Sequence, residues 1–242
     1  MTTGKKRDAI FWKDGISIEY DLIRSRRRTV GITVYPDGRV TVRAPLKARK
    51  ADVQAFVQKK GDWIVKKQRM FAEAPPAPQP PRYVPEEEHL FLGRVYPLDV
   101  RRGKKGGVEL VDGQFLLYAP AGDSVETRER LMREWYRKEA QVVFARRLEA
   151  CYPRAAALGI PFPGLKIRLM KRRWGSCAPT KGSILLNLRL IQTAEACIDY
   201  VILHELAHFK ERYHNADFYA LMDRLLPEWR ERRKELNGTG VQ

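Results

Sequence analysis

The 242-residue chain is predicted to fold as an α+β protein, on three observations. Short segments up to Tyr118 alternate apolar and polar residues, the mark of half-buried strands. From Ser124 to Leu158 the apolar spacing becomes helical. A second helical stretch, Ala194–Arg212, contains the apolar run Ile198, Tyr200, Val201, Ile202 and Leu203, so that helix is expected to be buried.

Ile16–Arg24, Thr29–Tyr35 and Arg39–Ala44 read as three strands. Pro36-Asp37-Gly38 joins the last two as a turn, because Pro presets φ and Gly tolerates positive φ. Lys50–Met70 reads as one helix, with Val53, Phe56, Val57, Trp63, Ile64 and Lys67 at helical spacing. Pro75–Pro85 holds six prolines and reads as a semi-rigid, extended link. Leu90–Val100, Val108–Val111 and Phe115–Tyr118 read as further strands, with Gly103–Gly107 and Asp112-Gly113 as turns. The Ser124–Leu158 helix carries Leu131, Trp135, Val142, Val143, Phe144 and Leu148, and stops at Gly159 with Pro161 behind it. Strands at Leu165–Met170 and Ser183–Leu186 precede the Ala194–Arg212 helix. A closing helix spans Asp217–Asn237, interrupted near Pro227. No internal repeat is evident. The expected organisation is a β-rich N-terminal region with one helix (1–74), a Pro-rich link (75–85) and an α+β region (86–242) whose two long helices pack together.

Composition narrows the class. Hydrophobic content of 44% and aromatic content of 10% are ordinary for a globular protein. No apolar run approaches the roughly 18 residues of a membrane span, and Met1–Asp8 is short, polar and basic, unlike a secretory leader. Cys151, Cys177 and Cys197 are odd in number with no C-x-x-C spacing, which excludes a disulfide framework and fits a reducing cytoplasm. Net charge is +17, and in the first fifty residues Lys and Arg outnumber Asp and Glu by thirteen to five. Such a surface can attract nucleic acid without sequence preference, although no nucleic-acid module is recognisable.

The chemistry lies in Val201–His214, which holds three of the four histidines. His204 and His208 are four residues apart, so on a helix both project from one face and can reach a single Zn²⁺ at about 2.0–2.1 Å. Glu205 lies about 100° round the helix, where it can serve as general base toward a water activated by the metal. Leu206 and Ala207 keep the opposite side apolar, so the histidines should face a cleft. A catalytic zinc takes three protein ligands, and His214 is the favoured third. A continuous helix would carry His214 about 9 Å along the axis, so the chain must leave the helix near Lys210–Tyr213 and fold back. Asn215 and Asp217 are both suitable N-caps for a following helix. Asp223 and Glu228 are the alternative third ligands.

Arg172-Arg173-Trp174-Gly175-Ser176-Cys177, between two expected strands, forms a second cluster. Arg172 and Arg173 are candidates to bind a substrate carboxylate or phosphate, or to stabilise an oxyanion near the metal. Cys177 has no spare histidine to activate it, and Trp174 reads as a packing anchor more than a ligand stacker. Asn187, at the end of Ile184-Leu185-Leu186, is a candidate either to bind an incoming peptide or to cap the chain leaving that strand. If that strand is a sheet edge, a peptide could pair with it beside the metal.

These residues resemble the YgjP-like metallopeptidase domain family, related to the SprT-like and WLM zinc peptidases. The resemblance rests on Arg173-Trp174-Gly175-Ser176-Cys177, Gly182 to Asn187, Asp199-Tyr200-Val201-Ile202, His204-Glu205-Leu206-Ala207-His208, His214 and Phe218. N-terminal matches are Arg24 to Arg27, Pro36 to Pro45, Trp63-Ile64 and Leu92 to Tyr96. It implies a zincin-like core with His204, His208 and His214 as zinc ligands and Glu205 as base. The expected activity is peptide-bond hydrolysis; family members have also been described as UTP pyrophosphatases, so a nucleotide substrate is the alternative. A basic, nucleic-acid-associated protein with targeted protease activity is the third reading.

Overall fold

The computed structural model describes residues 6–73 and 80–239, and the chain divides into two compact units, Met1–Gln79 and Pro80–Gln242. Residues 75–79 of the expected Pro-rich link lie outside the described residues.

In the first unit, β1 (Lys6–Phe11), β2 (Ser17–Ser25), β3 (Gly31–Val34) and β4 (Val40–Pro45) form one sheet in the order β1-β2-β4-β3. β2 and β4 run parallel, and the outer pairings are antiparallel. The turn at Pro36-Asp37-Gly38 is present, with Gly38 at φ 80°. β1 was not expected, because Lys6-Arg7-Asp8 breaks the apolar alternation. The single helix expected over Lys50–Met70 is instead two, α1 (Lys50–Lys59) and α2 (Gly61–Ala72). The break has a packing reason: the Trp12 indole lies so close to Gly61 that a Cβ there would meet its Nε1 at 2.1 Å. Ile10, Ile18, Tyr20, Leu22, Val42, Val53, Val57 and Ile64 make this unit's own core.

The second unit opens with β5 (Glu88–Phe91), β6 (Arg94–Arg102), β7 (Gly107–Val111) and β8 (Gln114–Ala119) in the order β5-β6-β8-β7. The strand expected over Leu90–Val100 is therefore a hairpin. Its turn places Leu92 at φ 48° and Gly93 at φ 78°. A leucine is held in that left-handed conformation because its N–H and that of Gly93 donate to the carbonyls of Ile191 and Gln192. Asp112-Gly113 makes the expected turn, with both residues at positive φ as a two-residue hairpin requires.

The two four-stranded sheets share one strand order and one pattern of parallel and antiparallel pairs. Asp37-Gly38-Arg39-Val40-Thr41-Val42-Arg43-Ala44-Pro45 matches Asp112-Gly113-Gln114-Phe115-Leu116-Leu117-Tyr118-Ala119-Pro120 in pattern. In each unit the strand after the Asp-Gly turn leads through Ala-Pro into a helix. A topological repeat thus exists where the sequence alone showed none.

From Ser124 the chain enters α3 (Val125–Ala156), which Gly159 terminates at φ 68°. A second sheet follows: β9 (Gly164–Arg168), β10 (Gly175–Ala178) and β11 (Ser183–Asn187), ordered β10-β11-β9. α4 (Glu195–Ala207) is shorter than the Ala194–Arg212 span expected of it, and the closing helix is interrupted near Pro227 as expected, giving α5 (Ala216–Leu225) and α6 (Trp229–Gly238). Ile198, Ile202, Leu203 and Leu206 of α4 are fully buried, each stabilising by about 1.5–3 kcal/mol, so this helix is a rigid base for whatever it carries. Among the described residues, no helix is long and apolar enough to cross a membrane.

The two helices pack together as expected, and a charged clamp fixes their register. Arg147 of α3 grips Asp199 of α4 with both Nε, at 2.7 Å, and Nη2, and its Nη1 reaches Glu195 at 3.4 Å. The pair is partly buried, so removing one partner strands the other charge. Asp199→Ala is expected to cost about 2 kcal/mol, lowering the thermal midpoint by about 4–8 °C; differential scanning calorimetry reads this directly.

Candidate metal centre

α4 presents Tyr200, His204 and His208 at four-residue intervals along one side, as helical spacing requires. The chain leaves the helix at His208, earlier than expected, and turns through Phe209–Tyr213. Asn215 then caps α5, its Oδ1 accepting from the Phe218 N–H at 2.9 Å. This cap starts α5 so that the Phe218 ring sits 5.0, 4.7 and 4.7 Å from the imidazoles of His204, His208 and His214. Phe218 is buried and forms the apolar wall behind all three.

The return of His214 brings its Nε2 to 3.1 Å from Nε2 of both His204 and His208. All three ligand atoms lie within 4.8 Å of one another. His208 Nδ1 is 2.8 Å from the carbonyl oxygen of Glu211. Donation there puts the proton on Nδ1 and leaves Nε2 as a lone-pair donor. Burial and the neighbouring imidazoles push the His204 pKa down to about 3, and burial lowers that of His214 as well. Imidazole lone pairs that converge in this way repel one another unless a cation sits among them. The set fits zinc, whose nitrogen ligands at about 2.0–2.1 Å stand roughly 3.3 Å apart in a tetrahedral site.

A histidine with a depressed pKa stays neutral as pH falls, so protons compete with a metal only well below pH 6.5. The unfolded chain takes up those protons from about pH 6.5 downward, so the stability that His204 contributes to the metal-free fold is lost as pH falls through that window. In a Glu205→Gln background, where the opposing titration of that carboxyl is removed, metal-free protein should therefore unfold at a lower temperature at pH 4 than at pH 7, with a shallower dependence once His204→Gln is added. Equal slopes for the two proteins would contradict the depressed pKa.

Glu205 is 5% exposed and points from α4 toward β10. Burial pushes its pKa up to about 8, opposed by the positive charge of Arg173. His204, Glu205, His208 and His214 all line one cleft of about 880 Å³, with Arg173, Trp174, Gly175, Cys177 and Tyr200 on its walls. Tyr200 was not singled out from the sequence, although its position four residues before His204 places it on the histidine side.

The structure places the remaining candidates and corrects the expectations at Asn187, Arg172 and β11. Asn187 is no substrate donor: its Oδ1 accepts from Met170 N and Arg189 N, and its Nδ2 donates to the carbonyls of Met170 and Arg173, at 2.9–3.2 Å. All four hydrogen-bonding positions of the amide are used, so it organises the loop before β10. Arg172 is exposed and not among the residues lining the cleft, whereas Arg173 is. β11 is the central strand of its sheet, so the edge beside α4 is β10. Asp223 is engaged by Trp229 Nε1 at 2.8 Å and by Arg230, and Glu228 is not in the metal-type cluster. Burial, and then the charge of Glu205, pushes the Cys177 thiol up to about 12, which removes it as a thiolate nucleophile at neutral pH. Trp174 packs against the core, with its Nε1 buried and lacking a partner among the described residues.

Three convergent imidazoles could hold a metal ion, with a buried carboxylate lining the same cleft. The chain belongs to the YgjP-like, metallopeptidase domain family, whose model matches residues 28–239. Among solved structures it is similar to the metallopeptidase zymogen of Pyrococcus abyssi abylysin, at 24% identity over 38% of this chain and 90% of that one, with a TM-score of 0.35. No curated protein matches it.

Proposed function

We propose that this protein is a zinc-dependent peptidase with a zincin-like core, in which His204, His208 and His214 hold the metal and Glu205 is the general base. The convergence of three imidazole Nε2 atoms beside a buried carboxylate carries this reading. A bound zinc ion supplies Lewis acidity and lowers the pKa of water. Glu205 takes the proton from the attacking water and passes it to the departing amine. Burial raises the Glu205 pKa in the metal-free protein, and a cation held by the three imidazoles would draw it back toward the ionised form that a base needs. Arg173, on the wall beside Glu205, provides positive charge for the substrate carbonyl as it becomes an oxyanion. Among the described residues β10 pairs on one side only, with β11, which supports pairing of its other edge with an extended peptide alongside the cleft.

A second reading, hydrolysis of UTP to pyrophosphate, is favoured by one observation. Arg173, Lys210 and Arg212 line the cleft and make no ion pair among the described residues. Labelled casein and UTP, offered in parallel to zinc-loaded protein, separate the two. Casein cleavage without pyrophosphate release supports the peptidase; the reverse result overturns it.

A further inference from the structure

We propose that Gly175 is a positioning residue for the reaction, its missing side chain letting the Glu205 carboxylate lie against the backbone of β10; this rests on Glu205 being the base. A Cβ on Gly175 would stand 2.5 Å from Glu205 Oε1, 2.8 Å from its Cγ and 2.9 Å from its Cδ. Three atoms of one side chain occupy the space an alanine methyl would need.

The backbone gives no other reason for a glycine there. Gly175 does not have positive φ and is not among the glycines that require it. It sits in an ordinary antiparallel register opposite Leu186. Glycine weakens a strand interior and often marks a close approach by another group, and here that group is a carboxylate. The strand itself is held in place. Asn187, directly after Leu186, takes the carbonyls of Met170 and Arg173 with its amide and donates its own N–H to the Trp174 carbonyl at 2.8 Å. The backbone that Glu205 leans on is thus tethered on the side facing β11. Glu205 is buried between this strand and its own helix and lines the cleft, which is the side left open to its carboxylate.

When a methyl is added, the flexible carboxylate gives way before the tethered strand does. Gly175→Ala therefore turns the base away from its working position while leaving the fold nearly intact. A displacement of about 1 Å in a catalytic group can lower the rate on the order of 100-fold.

The test uses zinc-loaded full-length protein and labelled casein. Gly175→Ala should retain one zinc per chain, keep KM within about threefold of wild type and lose kcat by about 100-fold. Shortening the base relieves the clash, so adding Glu205→Asp to Gly175→Ala should recover activity above that of Gly175→Ala alone. A second readout is independent of turnover. In a Glu205→Ala background the new methyl has room, so Gly175→Ala should raise the thermal midpoint there and not in the Glu205 background. Wild-type kcat in Gly175→Ala, or equal midpoint shifts in the two backgrounds, overturns the proposal. Full activity of Glu205→Gln would instead overturn the assignment of the base, and the midpoint comparison would still report whether residues 175 and 205 compete for space.

Discussion

Glu205→Gln is expected to abolish hydrolysis while leaving the metal in place. Glutamine has the shape of the carboxylate and keeps the contact with β10, but it cannot accept the proton of the attacking water. General-base catalysis contributes about 10²–10⁴ in rate, so kcat should fall by that factor with KM little changed. Zinc content should stay at one per chain, because three imidazoles supply the ligands and Glu205 is not among them. The burial penalty also predicts a change in stability. Glu205 binds its proton more tightly folded than unfolded, so the stability it contributes to the metal-free wild-type fold is lost as pH rises from about 4.5 to about 8, opposite in sign to the contribution of His204. Glutamine carries no charge to bury, and the variant should be the more stable of the two at pH 8. Retention of more than a tenth of the wild-type rate would remove Glu205 from the mechanism.

The second large effect is expected at His214. It comes from the turn after α4 and its residue is exposed, so His214→Ala removes few packing contacts. The loss falls on the metal. Two imidazoles on one helix leave the site a ligand short, and activity and zinc content should both drop below a tenth of wild type. Zinc bound to the native state stabilises it by RT ln(1 + [L]/Kd). Zinc-loaded wild type should therefore melt well above its chelated form, whereas His214→Ala should melt at nearly one temperature with or without zinc. Asp223→Asn and Glu228→Gln, the alternative ligands, should behave as wild type in zinc content. Retained zinc in His214→Ala together with lost zinc in either of those variants would reassign the third ligand.

The legible parts of this site are those set by local geometry. Two histidines and a glutamate within five residues have their directions dictated by helical pitch, and they appear where that pitch puts them. A break before His214 was readable from Asn215 and Asp217, either of which could cap a new helix; the structure uses Asn215. What escaped was decided by distant partners. β10 is four residues of Gly-Ser-Cys-Ala, without β-branched residues or alternation; pairing with β11 makes it a strand. Asn187 offered two roles on paper, and only the position of the Met170 and Arg173 carbonyls chose between them. The α1–α2 break depends on Trp12, nearly fifty residues earlier, approaching Gly61. The repeated sheet topology left its clearest sequence trace in the Asp-Gly and Ala-Pro pairs, too little to stand out against divergent strands.

The most direct test is to grow crystals with zinc and collect diffraction data on both sides of the zinc absorption edge. A single strong anomalous peak about 2.0–2.1 Å from Nε2 of His204, His208 and His214, with the Glu205 carboxylate on the β10 side of it, is the predicted result. A peak held by other side chains, or none at the triad when zinc is in excess, would contradict the metal centre on which the peptidase reading depends.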